Sequence, residues 1–135
     1  MKARWTFFLV ALLSVVIACQ RTRRCATCGM KIDPSSPWVA YLQTSGEELA
    51  FDTPRCALAA WRANPERVRR GRFRDYYSQE LKDADELRFV RGSDVLSPMG
   101  PDLVPVALAN AERFARDHNG APPQSAADIV REGLP

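Results

Sequence analysis

Histidine, methionine, cysteine and glycine are all scarce in this 135-residue chain, with one His, three Met, four Cys and seven Gly. A single imidazole leaves little for hydrolytic or zinc-protease machinery, and no glycine-rich phosphate loop occurs. A comfortable membrane span is missing too, because the apolar stretch 5–18 is short for a bilayer. Low-complexity segments are absent. So is a strong excess of one charge: Lys+Arg number 19 against 16 Asp+Glu, and removal of residues 1–18 would take Lys2 and Arg4 and leave 17. A domain that close to neutral carries no electrostatic case for binding nucleic acid.

What the first residues do contain is the order of an export signal. Lys2 and Arg4 precede the apolar run, which ends Val16-Ile17-Ala18-Cys19 and resembles the bacterial lipobox. The expectation is a signal peptide over 1–18 and a lipid on Cys19, with a basic linker over 19–24 and the chain held on the periplasmic side of a bacterial membrane. Cys25 follows Cys19 by six positions. At roughly 3.3–3.6 Å per extended residue the next thiol lies within about 20 Å of the anchor. Three thiols then remain, Cys25, Cys28 and Cys56, an odd number for a compartment where disulfides persist.

Past the linker the residue pattern predicts an α+β fold of two small ββα-type units, each a treble-clef-like hairpin plus helix, over 25–84 and 85–135. Residues 38–42 (WVAYL) and 48–52 (ELAFD) flank the turn Ser45-Gly46-Glu47 and read as a hairpin. Thr53 and Pro54 suit a helix start, with Cys56, Ala59, Ala60 and Ala63 as its expected buried stripe and Pro65 beyond its end. A further strand is expected over 72–77. The second unit begins with the alternating stretch 86–90, crosses a loop bearing Gly92, Pro98, Gly100 and Pro101, and resumes at 103–107. Ala111, Phe114, Ala115 and His118 form the next helical row, Asn119-Gly120 a left-handed stop, and Ser125 with Asp128 an N-cap pair for a last helix. Alternation of Arg67, Arg69, Arg70, Arg72 and Arg74 indicates a solvated edge or helix face.

The chemistry centres on residues 25–33, CATCGMKID. A bare CxxC serves disulfide exchange, metal binding or stapling alike. Gly29 and Asp33-Pro34 place this one in a loop, which weighs against a CxxC thiol oxidoreductase. A zinc-binding structural or sensory module would draw on Cys25, Cys28, Cys56 and His118, but Ala59 stands where a second CxxC would need its second thiol. The methionines narrow the choice. Met30 and Met99 both lie in glycine-bearing loops, without the periodic apolar neighbours of core filler, and thiolate plus thioether is a donor set that suits Cu(I). Gly29 between Cys28 and Met30 allows both sulfurs to face one point. Cys28, Met30 and Met99 are thus candidate ligands of an open, low-coordinate Cu(I) site.

The order Cys28-Gly29-Met30, Phe51-Asp52, Gly92-Ser93, Pro98-Met99-Gly100 and the helix 111–120, behind a lipobox, resembles the NosL family, the lipoprotein copper chaperones associated with nitrous-oxide reductase maturation. The resemblance covers nearly all of the mature chain. It implies Cu(I) carriage without catalysis and delivery to an apo-cuproenzyme or its copper-site assembly proteins, and it puts Cys28, Met30 and Met99 in the ligand roles. Cys25 extends the motif to CxxCGM and is carried as a further candidate ligand. Cys56 is an added thiol whose role as ligand, disulfide partner or packed sulfhydryl stays open.

Overall fold

The computed structural model describes residues 23–134; the export signal and Cys19 fall outside them. Its architecture is α+β. Strands β1 (Ala40–Thr44) and β2 (Glu48–Phe51) form the expected hairpin, with Leu42 opposite Leu49 and Ala40 opposite Phe51. β1 also pairs antiparallel with β3 (Val68–Arg74), and β3 with β4 (Leu81–Asp83), so the sheet runs β2-β1-β3-β4. Helix α1 (Pro54–Ala63) lies on this sheet, its tryptophan resting on β3. A Cβ at Gly71 would stand 2.5 Å from the Trp61 ring, so only glycine lets the helix approach that closely.

Two details of the first half differ from expectation. The buried row of α1 is Pro54, Ala57 and Leu58 with half-buried Trp61, not Cys56, Ala59, Ala60 and Ala63. Both rows have helical spacing; the one carrying the larger apolar side chains wins the core because it removes more surface from water. The strand expected over 72–77 begins earlier, at Val68, and stops at Arg74, where Asp75 opens a turn. Arg70, Arg72 and Arg74 alternate onto the outer sheet face. Arg70 bonds Asp83 at 2.9 Å and Arg72 bonds Glu48 at 2.6 Å, while Gly71 and Phe73 point inward by the two-residue period.

In the second half β5 (Leu87–Val90) pairs antiparallel with β8 (Val104–Ala107), and between them β6 (Leu96–Ser97) and β7 (Gly100–Pro101) make a small hairpin. Helix α2 (Ala111–Asp117) buries Ala111, Phe114 and Ala115 against Val90, Val104 and Val106. Asn119 takes the left-handed stop at φ 53°. Helix α3 (Ala126–Glu132) starts at Ser125, whose hydroxyl accepts from the Asp128 amide at 3.0 Å. The boundary expected between residues 84 and 85 lies inside a 3₁₀ turn, Ala84–Glu86. Leu87, Phe89 and Leu103 from beyond that turn share one buried cluster with Leu42, Phe51 and Phe73. The Phe73 and Phe89 rings meet edge to face, 4.8 Å apart. Among the described residues no helix is long and apolar enough to cross a membrane.

Asp75 is the polar pin between the halves. Only 2% exposed, it accepts hydrogen bonds from the Ala107 amide at 2.7 Å, the Ser78 amide at 2.9 Å and the Ser78 hydroxyl at 2.8 Å. Burial opposes its ionisation, but the Ser78 and Ala107 amides outweigh it and hold the carboxyl below the usual carboxylate range. A lowered folded pKa stabilises the fold above the unfolded value and ceases to do so as pH falls through the folded one. Asp75→Ala is therefore expected to lose about 1–3 kcal/mol at neutral pH in urea denaturation, for stranded donors. The gap between variant and parent should close as the medium is acidified.

Candidate metal centre

The donor residues are assembled around the first turn of α1. Thr53 is its N-cap, in extended backbone, and its Oγ1 accepts from the Cys56 amide at 3.3 Å; Pro54 follows at the first helical position, where its missing N–H costs nothing. Asp52 precedes the cap at the end of β2. The cysteine loop is stitched to the same place: the Ala26 amide donates to Ala50 O at 3.1 Å and the Thr27 hydroxyl to Cys56 O at 3.0 Å. Inside the loop Cys25 N reaches Met30 O at 2.8 Å and Gly29 N reaches Cys25 O at 2.9 Å. Gly29 makes the reversal at φ 76°, in the region where a side chain would be strained.

These contacts bring the sulfurs of Cys25, Cys28 and Cys56 and a carboxylate oxygen of Asp52 within 4.8 Å of one another. All three cysteines are free. Cys25 is buried at 3% exposure, Cys56 half-buried and Cys28 exposed. The Cys28 thiol donates to Asp52 Oδ2 at 3.3 Å, whereas Asp52 Oδ1 is buried without a hydrogen-bond partner. Sequence pattern alone assigns Asp52 no role, since a lone acid at a strand end has no spacing signal.

Met30 and Met99 approach from the other side. They share a pocket of about 150 Å³ with Asp52, Thr53 and Pro98, and remain 45% and 55% exposed. Met99 stands at the tip of the β6–β7 hairpin, where its amide donates to Ser97 Oγ at 3.1 Å. That hairpin is tied to α1 by Asp102, which is 3% exposed: its Oδ1 accepts from the Arg55 amide at 3.1 Å and the Leu103 amide at 2.6 Å, and its Oδ2 from Ser97 Oγ at 3.3 Å. Burial pushes the Asp102 carboxyl up, against the amides that pull it down. Neither Cys25 nor Cys56 lines the pocket; Asp52 belongs to both groups. His118 is elsewhere, its Nδ1 2.8 Å from Asp94 and its ring against Phe114, so the fourth donor of the thiol cluster is Asp52 in its place.

Burial and hydrogen bonding explain the titration. Burial raises Asp52, but hydrogen bonds from the thiols of Cys25, Cys28 and Cys56 outweigh that and bring it below the ordinary value. Two of the thiols move the other way: desolvation pushes Cys28 up, with Cys25 and the Asp52 carboxylate adding to it, and burial raises Cys56 further. A CxxC nucleophile needs a depressed thiol, so this is poor ground for disulfide exchange and better ground for a metal that displaces protons.

The NosL family profile matches residues 16–133. A search of curated proteins finds no match. Among solved structures, the crystal structure of the copper chaperone NosL from Shewanella denitrificans resembles this fold with a TM-score of 0.62 and 23% identity, over 74% of this chain and 84% of that one.

Because the hydrogen bond that the Cys28 thiol donates to the Asp52 carboxylate helps to hold its pKa up, Asp52→Asn should lower the thiol pKa and increase the thiolate fraction at fixed neutral pH. Iodoacetamide labelling of Cys28 in the metal-free chain is expected to accelerate roughly two- to fivefold. An unchanged rate would mean that Asp52 does not govern the thiol.

Proposed function

The chain belongs to the NosL family, and from that we propose that it is a Cu(I) carrier, holding the ion through the Cys28 thiolate with the Met30 and Met99 thioethers. The supporting observation is that two thioethers from loops nearly seventy residues apart face one pocket, and that Asp52 in its wall bonds the Cys28 thiol. Exposed methionines at 45% and 55% are poorly explained as packing. They are well explained as soft, neutral donors on an open face, from which an ion can pass to a partner.

The same reading places the chain on the periplasmic side of a bacterial membrane through lipidated Cys19. The recipient is an apo-cuproenzyme or its copper-site assembly proteins, with nitrous-oxide reductase as the client that the family resemblance indicates. Cys19 is the acyl acceptor in this reading, and palmitate labelling with Cys19→Ser checks it: the variant should lose the label and leave the membrane fraction.

The zinc reading has an observation of its own, the four donors of Cys25, Cys28, Cys56 and Asp52 around the start of a helix, as in a treble clef. On it, purified chain would carry one zinc and unfold with a chelator. Anaerobic Cu(I) titration against a chromophoric chelator separates the two. The parent should take up Cu(I), Cys28→Ser should weaken it by about tenfold or more, and Met99→Ala should slow passage of bound Cu(I) to the competing chelator. Variants indistinguishable from the parent in both affinity and transfer would sink the carrier site.

A further inference from the structure

Cys25 and Cys56 are unused by the donor set just proposed, and no cysteine lines the pocket that Met30 and Met99 share; exposed Cys28 is linked to it through its bond to Asp52 in the wall. Five sulfurs therefore fall into two groups that meet at Cys28 and Asp52. One group is open: Met30, Met99 and the exposed Cys28. The other is recessed, because Cys25 is 3% exposed and belongs to the main buried cluster, Cys56 packs against that cluster, and the sulfurs lie within 4.8 Å of Cys28 and of the Asp52 carboxylate. A single soft ion cannot engage both groups in full at one point, since few ligands fit around Cu(I) and none of the three thiols lines the pocket of the thioethers.

We propose that Cys25, Cys28 and Cys56 form an inner holding station for Cu(I), distinct from the outer set through which the ion is handed on, with Cys28 common to both. This rests on the copper reading above and adds a second position to it. Anionic, recessed thiolates hold a soft cation more tightly than neutral, exposed thioethers, so the ion rests inside and is presented outside. Each thiol that coordinates releases one proton to solvent, and no electron is transferred. The Asp52 carboxylate, with one buried oxygen free of hydrogen-bond partners among the described residues, is placed to accept from whichever thiol keeps its proton. Outward movement keeps the Cu–Cys28 bond while thioethers replace the Cys25 and Cys56 thiolates, each of which takes a proton back from solvent, and this avoids a free-ion intermediate.

The test compares the purified full-length chain with a Cys25→Ala/Cys56→Ser variant and a Met30→Leu/Met99→Leu variant, using Cu(I) and a chromophoric competing chelator under anaerobic, reducing conditions. X-ray absorption at the copper edge reads the donors directly, and circular dichroism checks the fold. Loss of the inner thiols should weaken binding by about tenfold or more while leaving a residual, fast-releasing site. Loss of the thioethers should leave affinity near the parent's and slow release severalfold. Should the double cysteine variant misfold, Cys56→Ser alone carries the comparison, because Cys56 is only half-buried. Parent-like affinity without Cys25 and Cys56 would overturn the inner station and leave the outer site standing. A parent cluster that keeps Zn(II) against excess Cu(I) would overturn it too, and failure of Cys28→Ser to weaken Cu(I) binding would instead remove the carrier reading itself.

Discussion

The first turn of α1 is the constraint on which the donor centre depends. A helix start leaves amide donors without partners inside the helix and a partial positive charge at its end. Here Thr53 Oγ1 takes the Cys56 amide and Asp102 takes the Arg55 amide from a loop 47 residues away. Asp52 stands just outside the same turn. Two carboxylates can be tolerated at one place because the helix end favours both of them. The cap thereby sets the direction of Cys56, the Asp102 bond brings in the methionine hairpin, and the Thr27 hydroxyl on Cys56 O brings in the cysteine loop. Three segments remote in sequence converge on one turn through backbone partners, so their side chains are left for chemistry.

The sulfurs that result are graded by depth as well as by type. Thioethers are outermost, Cys28 is exposed at the junction, Cys56 is half-covered and Cys25 is interior. Burial penalises a bare thiolate, so Cys56 keeps its proton without a cation and is compensated when one arrives. Neither Cys28 nor Cys56 is brought below the ordinary thiol value, as the nucleophile of a disulfide-exchange site would be. The ordering agrees with a carrier whose ligands become stronger with depth.

Local pattern made most of the elements legible. The β1–β2 hairpin, the Thr53-Pro54 helix start, the β5–β8 pair and the Ser125 cap all follow from residues within a few positions of each other. Cys28, Met30 and Met99 stood out because their residue types are rare and sit in glycine loops. The misses are non-local. The α1 stripe shifted to Pro54, Ala57, Leu58 and Trp61 because the sheet beneath has room for a ring only over Gly71, a fact about β3 rather than about the helix. Asp52 and Asp102 were silent for a similar reason, since their importance comes from amides and thiols far along the chain. His118 had the right chemistry for a ligand but caps the C-terminal end of α2, where Asp94 and Phe114 hold it.

The Met99 arm belongs to the second half, and the thiols and Met30 to the first. Asp75 and Asp102 are the two carboxylates that tie these halves by accepting amides across them, one from Ala107 and one from Arg55. Their positions differ in consequence. Asp75 lies beside strands that carry the aromatic core, so its bond opens only with that core. Asp102 holds a hairpin of two-residue strands whose Leu96 and Met99 side chains are 61% and 55% exposed, with few buried apolar contacts of its own. Segments of that kind open at lower free energy than the core they adjoin. The thioether arm can therefore swing while the thiol cluster stays assembled, which is the asymmetry a handover needs: the donor that must let go is on the part of the fold that is cheapest to move.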